Sequence, residues 1–343
     1  MGSPPFKQRR GAARGVPAIQ EMPRAELAGV RKKDFLSVLD FDATELERCI
    51  DLAADLKRER PLGFRASTSA ALAGTHVALL FDKPSLRTWL TFEIAVRELG
   101  GAAVNVPADV VLGTREPVAD VARNLERWVS AAVIRTFAQT TVLDFAMAAP
   151  RLHVINALTD EEHPCQALAD FLTVREHWGG WHGRTLTFIG DGNNVATSLA
   201  HAAAMLGVNF HIASPVGYEL PQRVMTDCQA VARYGAQTRT FADPIEAVRG
   251  VHAIYTDVWT SMGQEAEREQ RRQAFALYQV NAHLMRQADA GAVFMHCLPA
   301  RRGEEVTADI LESAASVVFD QAENRLHTQK ALLLMLIVGS ARV

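Results

Sequence analysis

Residues 153–194 read HVINALTDEEHPCQALADFLTVREHWGGWHGRTLTFIGDGNN, and the order of residue types in them repeats one structural idea twice. A short apolar, β-branched run (153–158) ends in a polar turn. Pro164 then suits the first position of a helix, where its missing N–H is no loss. The helix reads from Pro164 to Trp178 and stops at Gly179-Gly180. A second apolar run (186–190) ends in a second turn, Gly190-Asp191-Gly192-Asn193-Asn194, which opens another helical stretch. Strand, turn, helix, break, strand, turn is the grammar of βαβ units.

The same alternation continues in both directions. Candidate strands lie at 77–81, 102–106, 132–137 and 153–158 before the glycine pair, and at 186–190, 210–214, 253–256, 292–296 and 316–319 after it. Phe35 to Leu56 carries a helical pattern, with Asp42 and Thr44 available as caps. Strands separated by helices require parallel sheets covered on both faces. The expectation is an α/β protein of two doubly wound parallel-sheet domains joined by the helix that ends at Trp178, with ligands in the cleft at the strands' carboxyl ends.

Composition agrees. A chain of 343 residues suits two domains of about 150 residues each. Its net charge of −3 argues against a nucleic-acid surface. The longest apolar run, Ala331 to Val338, is too short to span a bilayer. Residues 1–33 carry eight Lys/Arg against Glu21 and Glu26. With Ser3 as their only serine, they read as a disordered basic tail rather than an organelle transit peptide. Cys49, Cys165, Cys228 and Cys297 show neither CxxC spacing nor a metal pattern, and read as reduced thiols of a cytoplasmic protein.

Five sites carry chemistry. In Phe81-Asp82-Lys83-Pro84-Ser85-Leu86-Arg87-Thr88 a strand passes into a helix that Ser85 can cap; the free N–H groups of its first turn, with Arg87, favour an anion. Arg135 lies in an apolar strand, where it needs an ion pair or a ligand. His163 and Gln166 begin a helix and are able to bond a carbonyl oxygen; a plain helix cap is the alternative. The turn at 190–194 mimics half a dinucleotide fingerprint. Val195 holds the third glycine's place, however, and no acidic residue ends the next strand, which argues against an NAD dehydrogenase, the runner-up enzyme class. Asp257-Val258-Trp259-Thr260-Ser261-Met262-Gly263 is suited to gripping an amino group under a mobile lid that runs on through Arg272, or else is a solvated loop.

Taken in order, and with His296-Cys297-Leu298-Pro299 and the stretch Ala322 to His327, these sites resemble the aspartate/ornithine carbamoyltransferase family from about Phe35 to Val338. Asp-x-Trp-x-Ser-Met-Gly and His-Cys-Leu-Pro are similar to its ornithine branch. The resemblance implies transfer of the carbamoyl group of carbamoyl phosphate to the δ-amine of L-ornithine, with no metal or organic cofactor, by a homotrimer or a multiple of trimers. It implies that Ser85, Leu86, Arg87, Thr88, Arg135, His163, Gln166 and Arg325 hold carbamoyl phosphate. Asn194, Asp257, Ser261, Met262, Cys297 and Leu298 would bind ornithine, and His163, Arg87, Arg135 and Cys297 would carry the reaction. Residues 34–165 would form the carbamoyl phosphate domain, with a C-terminal helix of about 324–340 packed back on it, and 166–323 the ornithine domain.

Three positions depart from the family pattern: Trp89 replaces an arginine, Val111 a glutamine and Leu86 a threonine. A non-catalytic homologue that binds metabolites or partners is therefore the alternative. Trp89, Phe92, Val96 and Leu99 share one helical face, which predicts that Trp89 is packed.

Overall fold

The structure is a computed structural model describing residues 34–107, 115–261 and 263–339. The basic tail, Val111 and Met262 lie outside the described residues. The first sheet contains β1 (His76–Phe81), β2 (Ala102–Val106), β3 (Ala131–Arg135) and β4 (His153–Leu158). Its order is β2-β1-β3-β4, every pair parallel. The second contains β5 (Thr185–Ile189), β6 (Asn209–Ala213), β7 (Thr238–Phe241), β8 (Ala253–Thr256) and β9 (Val293–His296). It is also parallel, in the order β7-β6-β5-β8-β9. Two doubly wound domains are thus what the chain forms.

Helices fill both faces: α1 (Ala43–Glu59), α2 (Leu86–Glu98), α3 (Val118–Leu125), α4 (Gln139–Ala148), α5 (Pro164–Trp178), α6 (Asn194–Leu206) and α7 (Gln222–Val231). The connecting helix α5 begins at Pro164 and ends where Gly179 adopts φ 70°, a left-handed cap that glycine reaches without strain. Every residue from Pro164 to Val174 is buried, because α6 and the long C-terminal helix Val318–Leu333 both pack on α5. The C-terminal helix also packs against α1 and α2.

Three expectations need correction. The run 316–319 is not a strand: Ser316 forms one bridge to Phe294, and the C-terminal helix starts at Val318. Strand β7 (TRTF) was not expected, because it is a half-exposed edge strand without an apolar face. Phe35 bridges to Ile155 beside the first sheet, so helix α1 starts only at Ala43, where Asp42 and Glu45 form a capping box.

Strand order places the site. In the first sheet the order reverses between β1 and β3, and in the second between β5 and β8. A crevice opens at such switch points, beyond the carboxyl ends of the strands. The residues at or just past those ends are Asp82 to Thr88, Arg135, Gly190 to Asn194, and Asp257.

Candidate active site

Ser85 stands at the N-cap of α2 in an extended conformation, yet its side chain makes no capping bond. The expected cap is therefore absent, which leaves the first-turn N–H groups unanswered by a side chain, as an anion site requires. Leu86 is exposed, and Thr88 is buried with its hydroxyl accepting from Arg325 Nη2 at 2.8 Å. Arg135 is 7% exposed at the last position of β3, where the pairing with β4 shifts register and turns the strand end. Its neighbour Thr136 donates to Asp82 Oδ2 at 2.8 Å, and Asp82 N donates to Arg135 O at 2.9 Å, fixing the two switch-point loops together.

Arg87, Arg135 and Arg325 lie close enough to repel one another. Burial, then the charges of Arg325 and Arg87, brings Arg135 down to about 10, and burial with Arg87 lowers Arg325. No carboxylate forms an ion pair with any of the three among the described residues, and Arg135 Nε and Arg325 Nε have no hydrogen-bond partner. His163 is 5% exposed at the start of α5. Burial and the three arginines hold its imidazole well below the usual histidine range, so it is neutral. Its backbone N–H donates to Ser198 Oγ at 2.9 Å, Ser198 donates to buried Glu162, and its Nδ1 has no partner.

Gln166 is held at both ends. Arg325 Nη1 donates to its oxygen, and its Nε2 donates to Asp170 Oδ1 at 2.8 Å. Gln321 Nε2 shares that carboxylate oxygen at 2.8 Å, and Gln321 Oε1 accepts from His296 N at 2.9 Å. A hydrogen-bonded chain thus runs from Thr88 to the start of the His-Cys-Leu-Pro loop.

On the second sheet Asp257 is buried at the end of β8. Asn193 Nδ2 donates to its Oδ2 at 3.0 Å, and the Cys297 thiol donates to its Oδ1 at 3.2 Å. Burial and Asp257 push the Cys297 thiol well up, so it remains protonated. Asn194 donates instead to Thr159 O, across to the loop that carries His163. Leu298 has φ 59°, an uncommon state for leucine. Its N–H donates to His296 Nδ1 at 2.8 Å, and further along the same loop Arg301 N donates to Glu305 Oε1 at 2.6 Å. Beyond Asp257, Ser261 N–H donates to Gln264 Oε1 at 3.1 Å.

Asp257, His296 and Cys297 bring possible metal-ligand atoms within 4.8 Å of one another. The histidine is already committed: Nδ1 accepts from Leu298 N, and Nε2 meets Glu305 Oε1 at 3.1 Å. With the thiol donating to Asp257 as well, the trio acts as a hydrogen-bonded support.

The expectation for Trp89 holds only in part. Phe92, Val96 and Leu99 are fully buried, but Trp89 is half-buried, and its indole N–H donates to Asn105 Oδ1 at 2.5 Å. Asn105 in turn donates to Glu93 Oε2 at 3.1 Å. The sequence reading also missed Lys83, which is buried over the Phe137 ring at 4.0 Å and bonded to Asp160 at 2.5 Å. Asn193, Asp170 and Gln321 were missed too. Only Asp170 had a signal, its i+4 spacing from Gln166 on one helix.

Two parallel-sheet domains whose switch points face each other, one lined by arginines without an ion-pair partner among the described residues and the other by a buried carboxylate, define a two-substrate site for an anion and an amine. Comparison with known proteins agrees. Residues 33–176 match the carbamoyl-P binding domain model of aspartate/ornithine carbamoyltransferases, and residues 182–336 the Asp/Orn binding domain model. The ornithine carbamoyltransferase of Parasynechococcus marenigrum is 48% identical over 319 residues, 92% of this chain and 97% of that protein. That of Symbiobacterium thermophilum is 47% identical, over 90% of this chain and 99% of that protein. The solved ornithine carbamoyltransferase of Pyrococcus furiosus superposes with a TM-score of 0.85 at 44% identity, covering 89% of this chain and 97% of that one. The chain belongs to the aspartate/ornithine carbamoyltransferase family.

Proposed function

We propose that this enzyme transfers the carbamoyl group of carbamoyl phosphate to the δ-amine of L-ornithine, giving L-citrulline and phosphate. The observation that carries the reading is the set of Arg87, Arg135 and Arg325. They are unpaired among the described residues and gathered around a neutral, buried His163, with Asp257 facing them from the second sheet.

In this reading Ser85, Leu86, Arg87 and Thr88 hold the phosphate with Arg135 and Arg325. Gln166 presents its oxygen to the carbamoyl amide, because Asp170 retains its nitrogen. His163 donates to the carbonyl oxygen as that atom gains charge. Asp257, with Asn194, Ser261 and Met262, holds the α-groups of ornithine, and Cys297 and Leu298 flank its δ-amine. The nitrogen bonds to the carbamoyl carbon, the bond from that carbon to the phosphate oxygen breaks, and the nitrogen sheds a proton. An alkylamine has a pKa near 10.4, so presenting it neutral at pH 7 costs roughly 4–5 kcal/mol. Enclosure near the arginines lowers that cost. Holding both substrates in one cleft supplies the remaining advantage.

By the same proposal, residues 34–165 with the C-terminal helix serve carbamoyl phosphate, and 166–323 serve ornithine. The packing of the C-terminal helix on α1 and α2 supports that division. Assembly as a homotrimer and residence in the cytoplasm complete the proposal. Four free cysteines, three of them buried, are compatible with a reducing compartment, and no helix among the described residues is long and apolar enough to cross a membrane.

The test is an acceptor panel with carbamoyl phosphate: ornithine, putrescine, aspartate and N-acetylornithine. Ornithine should be turned over fastest. Faster turnover of putrescine would overturn the assignment of Asp257 and its neighbours to the α-groups.

A further inference from the structure

The stretch after the lid reads as a solvated, charged run, yet one of its arginines is interior. Arg271, on the helix Arg268–Phe275, is 6% exposed. Its Nη1 donates to Asp191 Oδ2 at 2.7 Å and to Trp259 O at 3.1 Å, and its Nε donates to Glu267 Oε2 at 3.0 Å. The guanidinium sits 5.0 Å from the Tyr218 ring centre. Three segments therefore meet at one side chain: the turn after β5, the stem of the lid two residues past Asp257, and the first turn of the helix that follows the lid. The turn itself has no slack. A side chain at Gly192 would lie 2.5 Å from the backbone of Glu219 and Leu220, and Asn193 in the same turn bonds to Asp257.

The charges are also arranged. Asp191 and Asp257 are near enough to repel: burial raises the Asp191 carboxyl, Arg271 pulls it back, and Asp257 raises it further. Glu267 is more than half exposed and is screened by solvent. Arg271 thus cancels Asp191, while the buried Asp257 carboxylate has no cationic partner among the described residues.

We propose that Arg271 is a positioning and specificity residue of the ornithine half of the site: it clamps the lid stem to the Gly190–Asn194 turn and neutralises Asp191. The consequence is selectivity for an acceptor that carries an α-carboxylate. One carboxylate in the pocket pairs with the α-ammonium of an amino acid, whereas two repel its carboxylate and favour a diamine. This rests on the function proposed above.

The test is steady-state kinetics of the full chain with ornithine and with putrescine. Arg271→Met should lower kcat/KM for ornithine by about 10- to 100-fold through loss of the clamp, with the KM for carbamoyl phosphate changed less than about threefold. It should lower the ornithine-to-putrescine ratio of kcat/KM by about tenfold or more. Arg271→Met combined with Asp191→Asn removes both charges and should restore the ratio without restoring the rate. If Arg271→Met does not fold, Asp191→Asn alone must move the ratio the other way, toward ornithine. An unmoved ratio in every folded variant overturns the proposal and leaves Arg271 a structural ion pair. Absence of citrulline synthesis by the unsubstituted enzyme would instead overturn the function on which it rests.

Discussion

Replacing His163 with alanine separates binding from chemistry at this site. In the resting protein the imidazole makes no capping bond, and its Nδ1 has no partner, so its removal breaks no resting hydrogen bond at that atom. The helix start is held by other contacts: His163 N to Ser198 Oγ, and Gln166 N and Ala167 N to His163 O, all retained by alanine. In the proposed reading three arginines and a helix N-terminus, not the imidazole, meet the phosphate. The loss should therefore fall on the transition state. Removing one preorganised oxyanion donor typically costs about 10²–10³ in kcat, or roughly 3–4 kcal/mol. Since the imidazole is neutral across the assay range, the loss should not vary with pH between 6 and 9. Initial rates of citrulline formation measure kcat, and calorimetry measures carbamoyl phosphate affinity, which should change less than about fivefold. An unchanged kcat would reduce His163 to a helix start, and a loss confined to affinity would refute its role at the oxyanion.

Asp257→Asn should raise the KM for ornithine about 10- to 100-fold and leave carbamoyl phosphate affinity intact, because the lost charge lies on the second sheet; titration calorimetry with each ligand checks it. Trp89→Arg should change stability by less than about 1 kcal/mol, since the half-buried site has Glu93 and Asn105 at hand; a shift of several kcal/mol in a denaturant titration contradicts this. Asp170 is raised to about 6, burial being the main cause. The folded state thus holds a proton that the unfolded chain has released, and stability declines as pH rises from about 4 to about 6, by about 3 kcal/mol. Asp170→Asn should remove that decline, as thermal melts across the window will read.

Much of this was legible in the chain. Pro164, Trp178 and Gly179 marked the connecting helix to the residue, because a first-turn proline and a left-handed glycine have one local meaning each. Apolar strands buried on both faces announced themselves, whereas β7 did not, since TRTF at a sheet edge has no apolar face to show. Ser85 was legible as a helix start but not as an open one, because a cap and an anion site share the same residue types. Buried Arg271 was hidden among charged neighbours whose spacing does not reveal which of them turns inward. Asp170 and Gln321 are brought together from 151 positions apart by packing of the C-terminal helix on α5, which no local pattern encodes.

The most direct measurement is a product balance: carbamoyl phosphate consumed, phosphate released and citrulline formed, followed together with and without ornithine. The account predicts equal amounts of all three with ornithine present, and little phosphate release without it. Phosphate released without matching citrulline would mean that the arginine-lined half works as a hydrolase, and no consumption at all would mean a non-catalytic member of the family; either result contradicts the account.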